Sequence, residues 1–181
     1  MRISRPEQVI LVGLALIVFS VILPSIWAVR LHRREGAVRA DLRALVEAGR
    51  RFSDEYGTWP GARNCGGMDC RFGREIPNRE VMNVLRAVDG PGNEKHAVNP
   101  SRLAFISIQP FRPGRSGLDA HGDFLDPWGV PYQVVLDSDL NGFCHVENSI
   151  YGEGIGEGIM AWSCGPDRAS DTPDDILSWK P

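Results

Sequence analysis

Twenty-one consecutive residues, Val9 to Val29 (VILVGLALIVFSVILPSIWAV), carry no charge. At 1.5 Å of rise per residue they make a helix of about 31 Å, enough to cross a hydrocarbon core of roughly 30 Å. Residues 1–29 are therefore expected to be an N-terminal membrane helix, and the chain's globular core must come after it. Two residues stand out against this apolar background. Glu7 heads the run, where an unpaired carboxylate is costly, so it is a candidate for a functional contact. Pro24 removes a helix hydrogen bond inside the span.

Beyond Val29, 152 of the 181 residues remain, enough for one domain with its own core. The net charge of −3 and the lack of a basic block argue against nucleic acid as a partner. Helical periodicity continues past the membrane run. Val38, Leu42, Leu45, Gly49, Phe52 and Tyr56 recur at intervals of three and four, leaving Arg39, Arg43, Glu47, Arg50, Arg51 and Glu55 for solvent. Residues 30–61 thus read as an amphipathic continuation of one long stem, ended by Gly57 and Pro60.

Residues 62–181 read as a globular head. Arg79 to Val88 has helical spacing with Asn78 as N-cap, Leu103 to Ile108 reads as a strand, and Arg112 to His121 as exposed loop. Tyr132 to Leu136, Asn141-Gly142 and Phe143 to Val146 spell an antiparallel hairpin around a type I′ turn. Ile159 to Cys164 adds a further strand. The expected class is α+β, a long helix covering a small antiparallel sheet.

All four cysteines follow the membrane run. Cys65 and Cys70 flank a short Gly-rich loop, and Cys144 and Cys164 fall in two apolar segments read as neighbouring strands. The expected pairing is Cys65–Cys70 and Cys144–Cys164, in an oxidising compartment. A four-cysteine metal site and free buried thiols are the alternatives, although neither pair has the C-x-x-C spacing of common zinc sites. Flanking charge pulls the other way on topology: Arg2 and Arg5 precede the span, while Arg30, Arg33 and Arg34 follow it.

A glutamate followed seventeen residues later by a proline in an apolar stem resembles the type IV pilins and the pseudopilins of type II secretion. The resemblance sharpens at Asp126, Pro127, Trp128, Gly129, Pro131 and Tyr132 (DPWGVPY), which match the Asp-Pro-Trp-Gly-x-Pro-Tyr signature of the major pseudopilin, pseudopilin G. Tyr56-Gly57-Thr58-Trp59-Pro60 is similar to that family's exit from the stem helix, and Ser163 to Trp179 to its closing segment. The resemblance implies a pilin-like fold and a non-enzymatic subunit of a type II secretion-like pseudopilus. It would sit in the inner membrane, with an extracytoplasmic head, and assemble with other pseudopilins through its stem. It also implies calcium in the C-terminal loop, for which Asp167, Asp171, Asp174 and Asp175 supply the hard oxygen ligands such an ion needs.

On its own chemistry, DPWGVPY is a structural turn: prolines and a glycine set the backbone, while Trp128 and Tyr132 bring large apolar area with polar tips. Asp137, Asp139, Asn141 and Gly142 copy the first half of an EF-hand loop, but Asn148 stands where a bidentate glutamate is needed, and the hairpin is the preferred reading. No catalytic motif is present, and His32, His96, His121 and His145 lack metal-ligand spacing. Gly152 to Gly158 (GEGIGEG) is read as a strand connection.

In one respect the chain departs from the family. Counting back from Glu7 places the expected peptidase cut after Arg2, where the family has glycine, and Arg5 and Pro6 replace small or apolar residues. The second expectation follows from this: an unprocessed, membrane-anchored binding module with a pilin-like head.

Overall fold

The computed structural model describes residues 6, 10, 13–14, 17–61, 65, 69–146, 150–151 and 155–180. Glu7 lies outside them, as do Val9, Leu11, Val12, Ala15 and Leu16 of the apolar run. The chain is α+β, with a long N-terminal helix, a small antiparallel sheet and one disulfide. By contacts it divides into two compact units, Met1–Gly36 and Ala37–Pro181.

The described residues of the first unit are helical, and Pro24 explains the one irregularity among them. A proline has no N–H to give the carbonyl four residues back, here that of Ser20, and its ring crowds that carbonyl. The helix widens just there into a π-helical turn, Val18–Ile22, with the Leu23 N–H reaching five residues back to Val18. An α-helix, α1, then runs from Leu23 to Tyr56. Among the described residues, no helix is long and apolar enough to cross a membrane. Five described apolar side chains of this unit, Ile10, Leu14, Ile17, Phe19 and Val29, are nonetheless each more than half exposed.

The second unit, the head, takes residues 37–56 of α1 into its core. Val38, Leu42, Leu45, Ala48 and Phe52 are buried, whereas Arg39, Arg43, Glu47, Arg50, Arg51 and Glu55 are exposed, as the periodicity predicts. Each large apolar member of that stripe contributes about 1.5–3 kcal/mol by leaving water. Gly49 belongs to the stripe because the sheet comes close: a Cβ there would lie 2.5 Å from Ile159 Cδ1. The helix ends at Gly57, which adopts φ +67° and returns its N–H to the Ser53 carbonyl at 2.8 Å.

Four antiparallel strands face this stripe: β1 (Cys70–Phe72), β4 (Gln133–Leu136), β5 (Ile159–Ser163) and β6 (Ile176–Leu177), in the order β1-β4-β5-β6. Helix α2 (Arg79–Leu85) lies between β1 and a second, two-stranded sheet, β2 (Gly117–Leu118) with β3 (Phe124–Leu125). Part of the segment expected to be exposed loop therefore forms β2. Leu103 to Ile108 forms no strand; instead Phe105 takes the Leu85 carbonyl, and its ring packs on Phe52 at 5.5 Å between centroids. Asn99 holds this irregular chain by donating to the Val84 and Leu103 carbonyls and accepting from the Leu103 N–H.

The expected hairpin is corrected. Tyr132 is outside the ladder, β4 pairs with β1 on one side and β5 on the other, and Phe143 to Val146 makes only a bridge between Cys144 and Ile155. The turn cannot close because the Asp137 carboxylate gathers the Asn141 and Gly142 N–H groups at 3.0 Å each, curling the chain into a loop. The second disulfide is corrected as well. Cys65 and Cys70 are bonded, but Cys144 and Cys164 are free and buried. They lie at opposite ends of β5: Cys144 donates to the Glu157 carbonyl before the strand, and Cys164 follows Ser163 at its end. Five residues of strand separate those ends, about 17 Å, beyond the reach of a disulfide.

Candidate functional site

The DPWGVPY segment folds as a closed turn joining β3 to β4. Asp126 is fully buried, and its Oδ1 accepts the N–H groups of Trp128 and Val130 at 3.0 Å each, while Oδ2 accepts the Ser163 hydroxyl at 2.6 Å. Gly129, at φ +85°, returns its N–H to the Asp126 carbonyl, and Pro131 bridges back to Leu125. Burial raises the Asp126 pKa above the usual carboxylate value, against the pull of its hydrogen bonds to Ser163, Val130 and Trp128. Pro127 is buried, and Trp128 is partly buried against the main core.

Tyr132 carries the turn to the stem. Its ring is buried 4.6 Å from that of Phe124, and its hydroxyl donates to Asp41 Oδ2 on α1 at 2.9 Å with Ser116 Oγ at 3.1 Å. Burial, then the Asp41 charge, raises the phenol's pKa. Asn78 ties α2 to the same place. It occupies the N-cap position of α2 but makes no side-chain cap; its Nδ2 donates instead to the Phe124 and Tyr132 carbonyls at 2.9 Å each, and its Oδ1 accepts the Phe124 N–H.

The C-terminal loop is held by its carboxylates. Asp174 accepts from the Thr172 hydroxyl and the Asp167 N–H, Asp167 accepts from the Ala169 N–H, and Asp175 Oδ2 takes the Asp171 and Thr172 N–H groups and the Tyr151 hydroxyl. Arg71 on β1 joins them from the sheet, stacking over Trp162 at 4.8 Å, donating to Ser170 at 2.6 Å and lying 3.9 Å from Asp171. The other oxygen of Asp175, Oδ1, is buried without a partner among the described residues, and burial raises this carboxyl's pKa. A buried, unpaired carboxylate oxygen fits the chemistry of a hard cation. The carboxylates of Asp167, Asp171 and Asp174 do not converge on it.

A different set of carboxylates does converge. Asp69, just before β1, comes within 4.8 Å of Asp137 and Asp139, the one such acidic trio among the described residues. Asp69 also accepts the Ser138 and His145 N–H groups. Burial raises the Asp137 pKa, opposed by the N–H groups of Gly142 and Asn141.

No family model, curated protein or solved structure matches this chain.

Asp41, Asp69 and Asn78 are the residues whose roles sequence reasoning missed. Asp41 had a signal: it lies three residues after Val38 and four before Leu45, a carboxylate on the apolar stripe that needs an inward partner. Asp69 had none, since its neighbours lie some seventy residues away in the chain.

Proposed function

We propose that the chain is a pilin-like structural subunit that assembles with other pseudopilins through its N-terminal helix and supports protein export by a type II-like secretion machine. The carrying observation is a contrast between the two units, each taken by itself. Residues 38–52 of α1 spend their apolar face on the head's antiparallel sheet, while Ile10, Leu14, Ile17, Phe19 and Val29 remain more than half exposed. Apolar side chains in such a row need lipid or other stems to cover them.

Two further features support this reading. DPWGVPY locks the sheet to the stem through Tyr132 and Asp41, as a subunit transmitting load between stem and head requires. The Cys65–Cys70 disulfide suits an extracytoplasmic head above an inner-membrane anchor.

In this proposal calcium, when bound, would be held by Asp175 with oxygens of the loop from Asp167 to Asp174, neutralising a buried negative oxygen and fixing the C-terminal strand. The alternative, an unprocessed membrane-anchored binding module, draws on Arg2 standing where the family has glycine. Membrane fractionation with carbonate and then detergent tests the anchor. Release by detergent alone fits the proposal; release by carbonate contradicts it.

A further inference from the structure

The sheet ends at β6, and the backbone register shows what that edge strand offers. Leu177 pairs with Trp162, and the Ser178 N–H bonds the Ala161 carbonyl. In an antiparallel ladder this makes Trp162–Leu177 a non-hydrogen-bonded pair, so the N–H and C=O of Leu177 point away from β5. Neither has a partner among the described residues. Leu177, which is 8% exposed, lines a cavity of 210 Å³ together with Arg39, Arg43, Ser178, Trp179 and Lys180.

Three cations and no carboxylate line that cavity. Arg39 and Arg43 lie one helical turn apart on α1, Lys180 lies across from them, and all three are exposed, with no ion pair recorded to another described residue. A 680 Å³ cleft sharing Arg43, Ser178 and Trp179 with it adds Glu47 and the Arg50–Glu157 pair, and a 280 Å³ cavity sharing Arg39, Leu177 and Lys180 adds Asp175, so the cationic stretch is confined to the cavity between them. An edge strand beside guanidinium and ammonium groups without ion pairs recognises two things at once: extended main chain and negative charge.

We propose that this cavity, with its edge strand, binds an extended, acidic polypeptide segment, which pairs with Leu177 as an added strand and places its carboxylates against Arg39, Arg43 and Lys180. Main-chain pairing supplies the register, and the cations select acidic over basic segments. The site goes beyond the assembly role and does not depend on it, because every residue of it lies in the head.

Fluorescence anisotropy with the full-length chain in detergent tests this, using a labelled eight-residue peptide of alternating aspartate and valine. Saturable binding is expected, weakened at least about tenfold by Arg39→Glu with Arg43→Glu and by N-methylation of alternate peptide residues. Both arginines are exposed, so an unchanged melting curve will show that the double variant is folded. Equal binding of a lysine–valine peptide, or full tolerance of N-methylation, would overturn the proposal. So would self-association of the chain that needs Arg39 and Arg43 while the peptide fails to bind, since the cavity would then serve a second copy.

Discussion

Tyr132 Oη and Asp41 Oδ2 lie 2.9 Å apart, a hydrogen bond spanning 91 residues that fastens the end of DPWGVPY to the stem helix. Tyr132 is fully buried and Asp41 partly so, and removing either leaves the other without this bond. Tyr132→Phe is expected to lower stability by about 1–2 kcal/mol. In a double-mutant cycle with Asp41→Ala the two losses should fall short of adding, because they share one bond. Urea unfolding measures this; additive losses would show that the contact carries no coupling.

Asp126 gives the head a pH dependence of defined sign. Burial raises its folded pKa above its unfolded value, near the ordinary 3.8. In the window between the two values the native state holds a proton that the unfolded chain has released. Stability therefore falls as pH rises through that window, and the penalty is complete above it. Asp126→Asn keeps an oxygen for the Trp128 and Val130 N–H groups and an amide for Ser163, so it should flatten this part of the profile and leave neutral-pH stability equal or higher. Denaturant midpoints measured from about pH 4 to pH 7 read the slope directly; a slope unchanged in the variant would assign it to other groups.

Much of this fold is legible in the sequence. The stripe from Val38 to Phe52 announces its buried face because each position answers to a local rule, the period of a helix. The strands of β4 and β5 are legible for the same reason, as short apolar runs. Their pairing is not, because a turn signal such as Asn141-Gly142 describes two residues, while the Asp137 carboxylate that overrides it acts from outside the pair. Asn78 shows the same limit: its position fits a cap, yet its partners Phe124 and Tyr132 arrive from 46 and 54 residues away. The candidate site divides likewise, since the composition of the aspartate loop is visible and the buried Oδ1 of Asp175 is not.

The thiols supply a chemical count. Alkylation of the unfolded, unreduced chain should modify two cysteines, Cys144 and Cys164, and reduction should raise this to four. In the native state both free thiols should resist reagent, since they are buried and burial pushes their pKa values up to about 12 and about 11. Mass spectrometry of the alkylated chain decides the matter; no modification without reductant would mean a second disulfide.

Calcium is tested by its linkage to folding. Anything bound only by the native state raises the melting temperature, so chelation should lower it by several degrees and added calcium should restore it. Asp175→Ala also removes the contacts to Asp171, Thr172 and Tyr151, so the informative quantity is the difference between calcium and chelator in each variant. That difference should vanish in Asp175→Ala. An identical melting curve with and without chelator in the unsubstituted chain would rule out the ion.

In the proposed assembly, other stems cover the exposed apolar side chains of the first unit. A photo-crosslinking amino acid placed at Ile17, which is 55% exposed, reads this in native membranes. A ladder of crosslinked species containing this chain and other small single-anchor subunits is expected, lost when Glu7 is changed to alanine. A crosslinker that reaches lipid alone, leaving the chain at monomer mass with or without Glu7, would contradict it.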